Sequence, residues 1–514
     1  MPGMPLRFSL FLVLFFATVS IGNAQTQHRV VIDVDVPGDT ISRHLYGHFA
    51  EHLGRGIYGG LFQRDASGAA IVREDVAEAL RRIQIPNLRW PGGCFADYYF
   101  WKDGVGPRED RPSIVNVLWG GVTEDNSVGT HEFMDLVEQL GTEPVIVGNV
   151  GSGTVRDMAQ WWEYMKHPAE SPMADWRRQH GRDDPWDVTY WGVGNESWGC
   201  GGNMRPEFYA DQYRRFATFL HDYGTGRPFR IAAGAAGEDY RWTEVVMREA
   251  GHMIDGLDFH HYTILGTWAK KGHATDFTEA EWFELLERSL FWDELLTRHS
   301  AIMDQYDPQK RVWLIVGEWG TWHEQEEGST PGFLYQQNTL RDALSAAVSL
   351  DAFHRHLDRV KMANIAQTVN VLQAMILTEG DRMLLTPTYH VFDFHTVHHD
   401  AVALPAHVEA GDYRMSDRSI PALSVSASRN AEGTIHLTLT NLDPNNTGTV
   451  ETLFRGADLR QARGRILTAG AMNAHNTFET PEAVVPREFT GARLLGERLV
   501  VEMPPKSLVV LELR

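Results

Sequence analysis

Cysteine is scarce in this sequence, with two in 514 residues. That scarcity excludes a disulfide-stapled scaffold. Cys94 and Cys200 could form one bridge in an oxidising compartment; each otherwise reads as a buried free thiol. Positive charge is also in short supply. Lys and Arg number 47 against 68 Asp and Glu, a formal net charge of −21. Phosphate binding needs a basic surface, so nucleic acid is excluded as a partner. After the first two dozen residues no apolar run approaches the length of a membrane span. No glycine-rich phosphate fingerprint follows the first strand pattern, which counts against a dinucleotide-binding fold. Internal repeats and low-complexity linkers are missing too.

The N-terminus is the exception to the shortage of apolar runs. Arg7 supplies a positive start, Phe8 to Val19 is almost unbroken apolar sequence, and Gly22-Asn23-Ala24 ends in small residues. Residues 1–24 read as a secretory signal peptide cleaved before Gln25, too short for a span. The expectation is a secreted or periplasmic protein with no membrane contact after cleavage.

What is present is a large core. Hydrophobic residues make up 43% and aromatics 11%, including sixteen tryptophans. Strand and helix patterns alternate from about residue 45 to 395. Eight strands are expected: His44–Glu51, Asn87–Pro91, Pro144–Asn149, Val188–Glu196, Arg230–Gly234, Leu257–Tyr262, Val312–Glu318 and Val360–Gln367. Between them, Tyr209, Tyr213, Phe216 and Leu220 fall at steps of four, three and four, predicting a helix over Glu207–Tyr223. Thr278 and Glu281 form the pattern of a capping box opening a long helix, Glu279–Arg298. Strict alternation repeated eight times argues for a (β/α)₈ barrel over residues 44–397. Beyond it, short alternating strands at Ala422–Ser428, Thr434–Asn441, Arg498–Glu502 and Ser507–Leu513 predict an antiparallel β-sandwich, residues 398–514. Residues 25–43 carry one similar strand pattern that would join this sandwich.

Long loops rich in Gly, Trp and charge follow the second, fourth and seventh strands, on the barrel face where active sites sit. Glu196 ends the fourth strand in WGVGNESWG, with Asn195 just before it. Glu318 ends the seventh in VWLIVGEWGTWH. Two carboxylates on one barrel rim are what glycoside hydrolysis requires: one protonated to donate to the leaving oxygen, one ionised to attack the anomeric carbon. His260 and Tyr262 of LDFHHYT would point at the nucleophile, and a tyrosine hydroxyl there would keep Glu318 ionised and aimed. Trp101, Trp198 and Trp322 offer flat faces to sugar rings. A lone Glu at a strand end is more often a salt-bridged carboxylate; two, flanked by Gly and Trp, reverse that reading.

These motifs resemble those of the family 51 glycoside hydrolases, chiefly retaining α-L-arabinofuranosidases, over nearly the whole chain after residue 24. FAEHLGRGIYGG is similar to the first-strand motif whose glutamate binds the arabinose, here Glu51. RWPGGCFADYYFWKDGVGPR resembles the second-strand motif. WGVGNESWG implies an acid/base at Glu196, and GEWGTWH a nucleophile at Glu318. NIAQTVNVLQA resembles the eighth-strand segment whose glutamine contacts the sugar, here Gln367. Several relatives have asparagine after Pro-Gly-Gly, where this chain has Cys94, which cannot replace the two-sided hydrogen bonding of an amide. The resemblance implies a plant polysaccharide or oligosaccharide as substrate, no metal or organic cofactor, and a homo-oligomer.

Other signals are weaker. His395, His398, His399 and Asp400 form HTVHHD, read as a solvated or interdomain cluster rather than a metal site. The acidic run at residues 324–327 reads as a solvated loop. Two rival functions stay open: an endo-β-1,4-glycanase of cellulose or xylan type on the same fold, and a non-catalytic carbohydrate-binding protein that works through its sandwich.

Overall fold

The structure is a computed structural model that describes residues 25–514; the signal-peptide reading at residues 1–24 falls outside the described residues. Eight parallel strands close into a barrel. In chain order they are Gly47–Phe49, Asn87–Trp90, Glu143–Gly148, Tyr190–Val193, Phe229–Ala236, Gly256–Thr263, Trp313–Thr321 and Val360–Ala366. Each neighbours the next, and the eighth closes on the first through Asn364 opposite Gly47. Both faces of every strand are covered, which is why their sequences read as apolar runs without alternation. At one end of the barrel Val145, Tyr190, Ile231, Ile315 and Met362 pack together and fill the interior. All eight expected strands are present. The seventh runs three residues past Glu318, so that carboxylate projects from within a strand and is held more rigidly than one on a loop.

The helices follow their apolar spacing with two departures. Tyr209, Tyr213 and Phe216 are buried along Pro206–Ala217, and the helix stops there rather than at Tyr223. Beyond it Thr218 turns its hydroxyl back on the Arg214 carbonyl, and Asp222, Gly224 and Gly226 form a turn. Thr278 and Glu281 do make the capping box. The long helix behind it is two, Glu279–Leu290 and Trp292–Tyr306. The turn tightens at Phe291, whose N–H reaches Arg288 O. The bend sets Trp292 edge-on to Phe259, His261 and Phe353, fully buried.

The C-terminal domain stacks two sheets. Gln25–Asp33 lies inside one of them, parallel to Thr447–Arg455 and antiparallel to Ala406–Glu409. Leu423–Arg429, Ile435–Asn441, Ser507–Leu513 and Ala462–Thr468 form most of the other. Val30, Ile32, Leu437, Leu439, Val501 and Leu511 share the core between them. Barrel and sandwich meet along the buried helix Leu340–Arg355. Across that seam Ser424 donates to Asp351 at 2.5 Å, His354 Nδ1 is 2.5 Å from Ser426, and His398 Nδ1 is 2.7 Å from Ser428. The HTVHHD cluster therefore sits between the domains, and His395 and His398 are buried rather than solvated. Among the described residues no helix is long and apolar enough to cross a membrane.

Candidate active site

The fourth strand ends at Val193, and the chain then turns sharply. Gly194 (φ 87°) and Glu196 (φ 39°) both occupy left-handed backbone, the second at a cost of about 1–2 kcal/mol for a non-glycine residue. The Glu196 carbonyl accepts the N–H groups of Gly199 and Gly201, which fixes the turn. Asp97, buried in the loop after the second strand, accepts N–H bonds from Val150 at 2.8 Å, Gly151 at 2.6 Å and Asn195 at 3.3 Å. It thereby ties together the loops that follow three barrel strands. Burial pushes its carboxyl up to about 7, against those same bonds.

Around this turn the carboxylates converge. His260 Nδ1 lies 2.9 Å from Glu196 Oε1 and 3.6 Å from Glu318 Oε1. One oxygen of Glu196 and one of Glu318 are within 4.8 Å of each other. Glu318 accepts from Arg89 at 2.8 Å through Oε1 and from the Tyr262 hydroxyl at 2.7 Å through Oε2. Arg89 also donates to Asn195 Oδ1 at 2.6 Å and lies 3.7 Å from Asp258. Removing one partner from so buried a charge cluster strands the others, at roughly 3–5 kcal/mol.

The proton distribution follows from this packing. Burial raises the Glu196 carboxyl; the Glu318 charge adds to that, while the His260 hydrogen bond opposes it. Burial works against charge on His260, but Glu318 and Asp258 outweigh it and lift the imidazole to about 10. Both His260 ring nitrogens are already engaged, Nδ1 by Glu196 and Nε2 by Asp258 at 3.3 Å. Burial and then the neighbouring Glu318 hold the Tyr262 phenol well above its usual value, so it stays a donor.

A third buried carboxylate, Glu51, lies close to Glu318. Glu51 accepts from Phe95 N at 2.8 Å, Trp119 Nε1 at 2.9 Å and Gln367 Nε2 at 3.2 Å. Burial and the Glu318 charge lift it to about 7. Gln367 Oε1 has no partner among the described residues. Gly93 has no room for a side chain: a Cβ there would lie 3.0 Å from Glu318 Oε1 and 3.1 Å from Glu51 Oε2. On the other side of Glu196 a cavity of about 610 Å³ opens outward, walled by Trp198, His261, Tyr262, Trp268, Arg288 and Trp322. A larger cavity, about 900 Å³, lies at the barrel–sandwich seam and contains none of these carboxylates.

Most of the residues expected from sequence thus lie together: Glu51, Asn195, Glu196, His260, Tyr262, Glu318 and Gln367, with Trp198 and Trp322 on the outer wall. One expectation needs correction, and one open choice is decided. Trp101 is 3% exposed, stacked on Trp161 and edge-on to Trp176, and donates its indole N–H to Asp157 O. Its ring serves the core. Cys94 and Cys200 are not free thiols; they form a disulfide, because the loops after the second and fourth strands approach to a Cα separation of 5.5 Å. Sequence reading passed over Arg89, Asp97, Trp119, Asp258 and Trp268. Only Arg89 left a usable signal, as a cation inside an otherwise apolar strand pattern.

The model of the α-L-arabinofuranosidase 1 domain matches residues 79–279, and that of the α-L-arabinofuranosidase C-terminal domain matches residues 317–507. A Bacteroides ovatus protein named an intracellular exo-α-L-arabinofuranosidase is 48% identical over 502 residues, 97% of this chain and 98% of that protein. The chain belongs to the family 51 α-L-arabinofuranosidases. Among solved structures, the arabinofuranosidase of Xanthomonas axonopodis pv. citri superimposes with a TM-score of 0.93 at 50% identity, covering 95% of this chain and all of that one. The arabinose complex of the Thermotoga maritima α-L-arabinofuranosidase gives a TM-score of 0.83 at 30% identity, covering 94% and 99%. The fold class and the glycoside hydrolase activity read from sequence hold for this arabinofuranosidase. The secreted or periplasmic location does not, since so similar a relative is named intracellular.

Proposed function

We propose that this arabinofuranosidase is an exo-acting, retaining enzyme that removes terminal arabinofuranosyl groups from arabinoxylan, arabinan or oligosaccharides derived from them. The observation that carries the reading is the approach of a Glu196 oxygen and a Glu318 oxygen to within 4.8 Å. Carboxyl groups about 5–5.5 Å apart suit a double displacement, whereas inversion needs about 6.5–9.5 Å to admit a water. Exo action is favoured over an endo-glycanase by the 48% identity to a relative named an exo-α-L-arabinofuranosidase.

Glu318, ionised between Arg89 and Tyr262, attacks the anomeric carbon. Glu196, protonated in the resting enzyme, gives its proton to the departing oxygen. His260 engages Oε1, so Oε2 is the oxygen that faces the leaving group. In the second step Glu196 takes a proton from water, which attacks the glycosyl-enzyme from the side the leaving group vacated. Glu51, Asn195 and Gln367 hold the furanose hydroxyls, with the unpaired Gln367 Oε1 accepting one of them. Trp198 and Trp322 flank the sugar to which the arabinose was attached. The barrel, residues 44–397, carries the chemistry. The sandwich, residues 398–514 with 25–43, braces it, and a homo-oligomer is compatible with that division.

Turnover of p-nitrophenyl α-L-arabinofuranoside tests the reading, with methanol added to trap the glycosyl-enzyme. The wild type should yield methyl α-L-arabinofuranoside, and Glu318→Ala should abolish turnover. Glu196→Ala should lose about 10²–10⁴-fold on arabino-oligosaccharides while sparing the first step on the nitrophenyl substrate. The β-methyl product, or an equal loss on both substrates, would overturn the mechanism. Release of reducing ends from a β-glucan without arabinofuranoside turnover would overturn the substrate.

A further inference from the structure

One side of Glu196 faces sulfur. Its Oε2 lies 3.6 Å from Cys200 Sγ and 3.9 Å from Cys94 Sγ, while Oε1 is engaged by His260. The two sulfurs and a Glu196 oxygen all lie within 4.8 Å of one another. Tetrahedral zinc, with bonds of about 2.3 Å to sulfur and about 2.1 Å to oxygen, sets its ligands about 3.6 Å apart for S···O and about 3.8 Å for S···S. The S···O spacing is already present on both sides. The S···S spacing is closed by the disulfide and opens by side-chain rotation once that bond is cut.

We propose that Cys94 and Cys200, when reduced, form with Glu196 a three-ligand site for a thiophilic divalent cation of the zinc and cadmium class. A cation held there takes the Glu196 oxygen that would otherwise face the leaving group, and so switches the enzyme off. That blockade rests on the acid/base reading of Glu196; the ligand site does not. The oxidised protein offers no thiolate and takes up no cation. Opening the bridge requires a two-electron reductant: a phosphine and water convert the disulfide to two thiols and become the phosphine oxide. Cation binding then displaces the two thiol protons and the Glu196 carboxyl proton to solvent, with no change in the oxidation state of the metal. Two soft ligands and one carboxylate select zinc or cadmium over magnesium. The fourth position is left for water.

The test uses the full chain reduced with a trialkylphosphine and titrated with cadmium. Two thiols should appear on reduction. A sulfur-to-cadmium charge-transfer band should then saturate at one cation per chain, in the reduced protein only. Cys200→Ser should lose the band, Glu196→Gln should weaken cadmium binding at least about tenfold, and magnesium should compete with neither. Arabinofuranoside turnover by the reduced enzyme should fall in step with the band and return on chelation. The site is overturned if the folded, reduced protein shows no band, if the band survives Cys200→Ser, or if the phosphine frees no thiol. A band that forms while turnover persists would overturn the blockade, and with it the role given to Glu196, independently of the methanol-trapping result.

Discussion

At the scale of single residues, the catalytic pair depends on what holds it. Tyr262 donates to Glu318 Oε2 at 2.7 Å, and its phenol is too deeply buried to ionise. A hydrogen bond to a charged group contributes about 1.5–3 kcal/mol. Tyr262→Phe should therefore lower kcat/KM on the nitrophenyl arabinofuranoside about ten- to hundredfold. Circular dichroism should stay unchanged, since the ring is retained. A loss below threefold would show that Arg89 alone positions the nucleophile. Glu196 and Glu318 were legible in the sequence because a carboxylate at the end of an apolar strand is unusual. Arg89 stood out only as a cation in an apolar strand pattern, and its role depends on carboxylates that lie far away in the chain. Trp101 misled because an indole in a loop reads alike whether it faces a sugar or, as here, Trp161.

At the scale of elements, eight strands were legible because parallel strands buried on both faces become continuous runs of Val, Ile and aromatics. Their exact ends were not. The extension of the seventh strand to Thr321 depends on pairing with His261, Tyr262 and Thr263, which no local pattern reports. The same limit hid the break at Phe291, imposed by the packing of Trp292. How the loops are bound to one another was invisible too, and Asp97 is the centre of that binding. Replacing it with Ala leaves the Val150, Gly151 and Asn195 N–H groups without their acceptor, at about 1–3 kcal/mol for each left unpaired. A small shift of the Asn195-Glu196 turn follows, and displacements near 1 Å can cost about 10²-fold in rate. Asp97→Ala should lower kcat by at least about tenfold, with faster hydrogen exchange confined to those three amides. Unchanged exchange there would mean that the turn is held by Gly199 and Gly201 instead.

At the scale of the whole molecule, the joint between barrel and sandwich is built from neutral imidazoles. His48 and His395 are fully buried; both ring nitrogens of His48 and Nε2 of His395 lack partners among the described residues, and His354, His398 and His399 lie beside them. Burial depresses His395 and His399 to about 4 and His48 to about 3; His354 and His398 are also pushed well down. An unfolded chain takes up protons at these positions near pH 6.5, whereas the native chain does not until about 4 or below. The stability they lend is therefore complete above pH 6.5 and drains away as pH falls toward 4. The loss is on the order of 3–5 kcal/mol for each of His48 and His395, against a total of about 5–15 kcal/mol for a typical domain. Buried carboxyls act in the opposite sense. Burial raises Glu51, Asp97 and Asp351 to about 7, so the native state holds protons the unfolded chain has lost and gains stability as pH drops from 7. Glu196 acts in the same sense as these three, but His131, His261, His299 and His390 are depressed to about 4 beside the five seam imidazoles, and the balance falls toward instability in acid. At a fixed heating rate, the unfolding temperature should fall steadily from pH 6.5 to 4.5. His395→Gln, which cannot charge, should flatten that slope even if it lowers the value at pH 7.5. A slope unchanged by the substitution would remove the seam histidines as its cause.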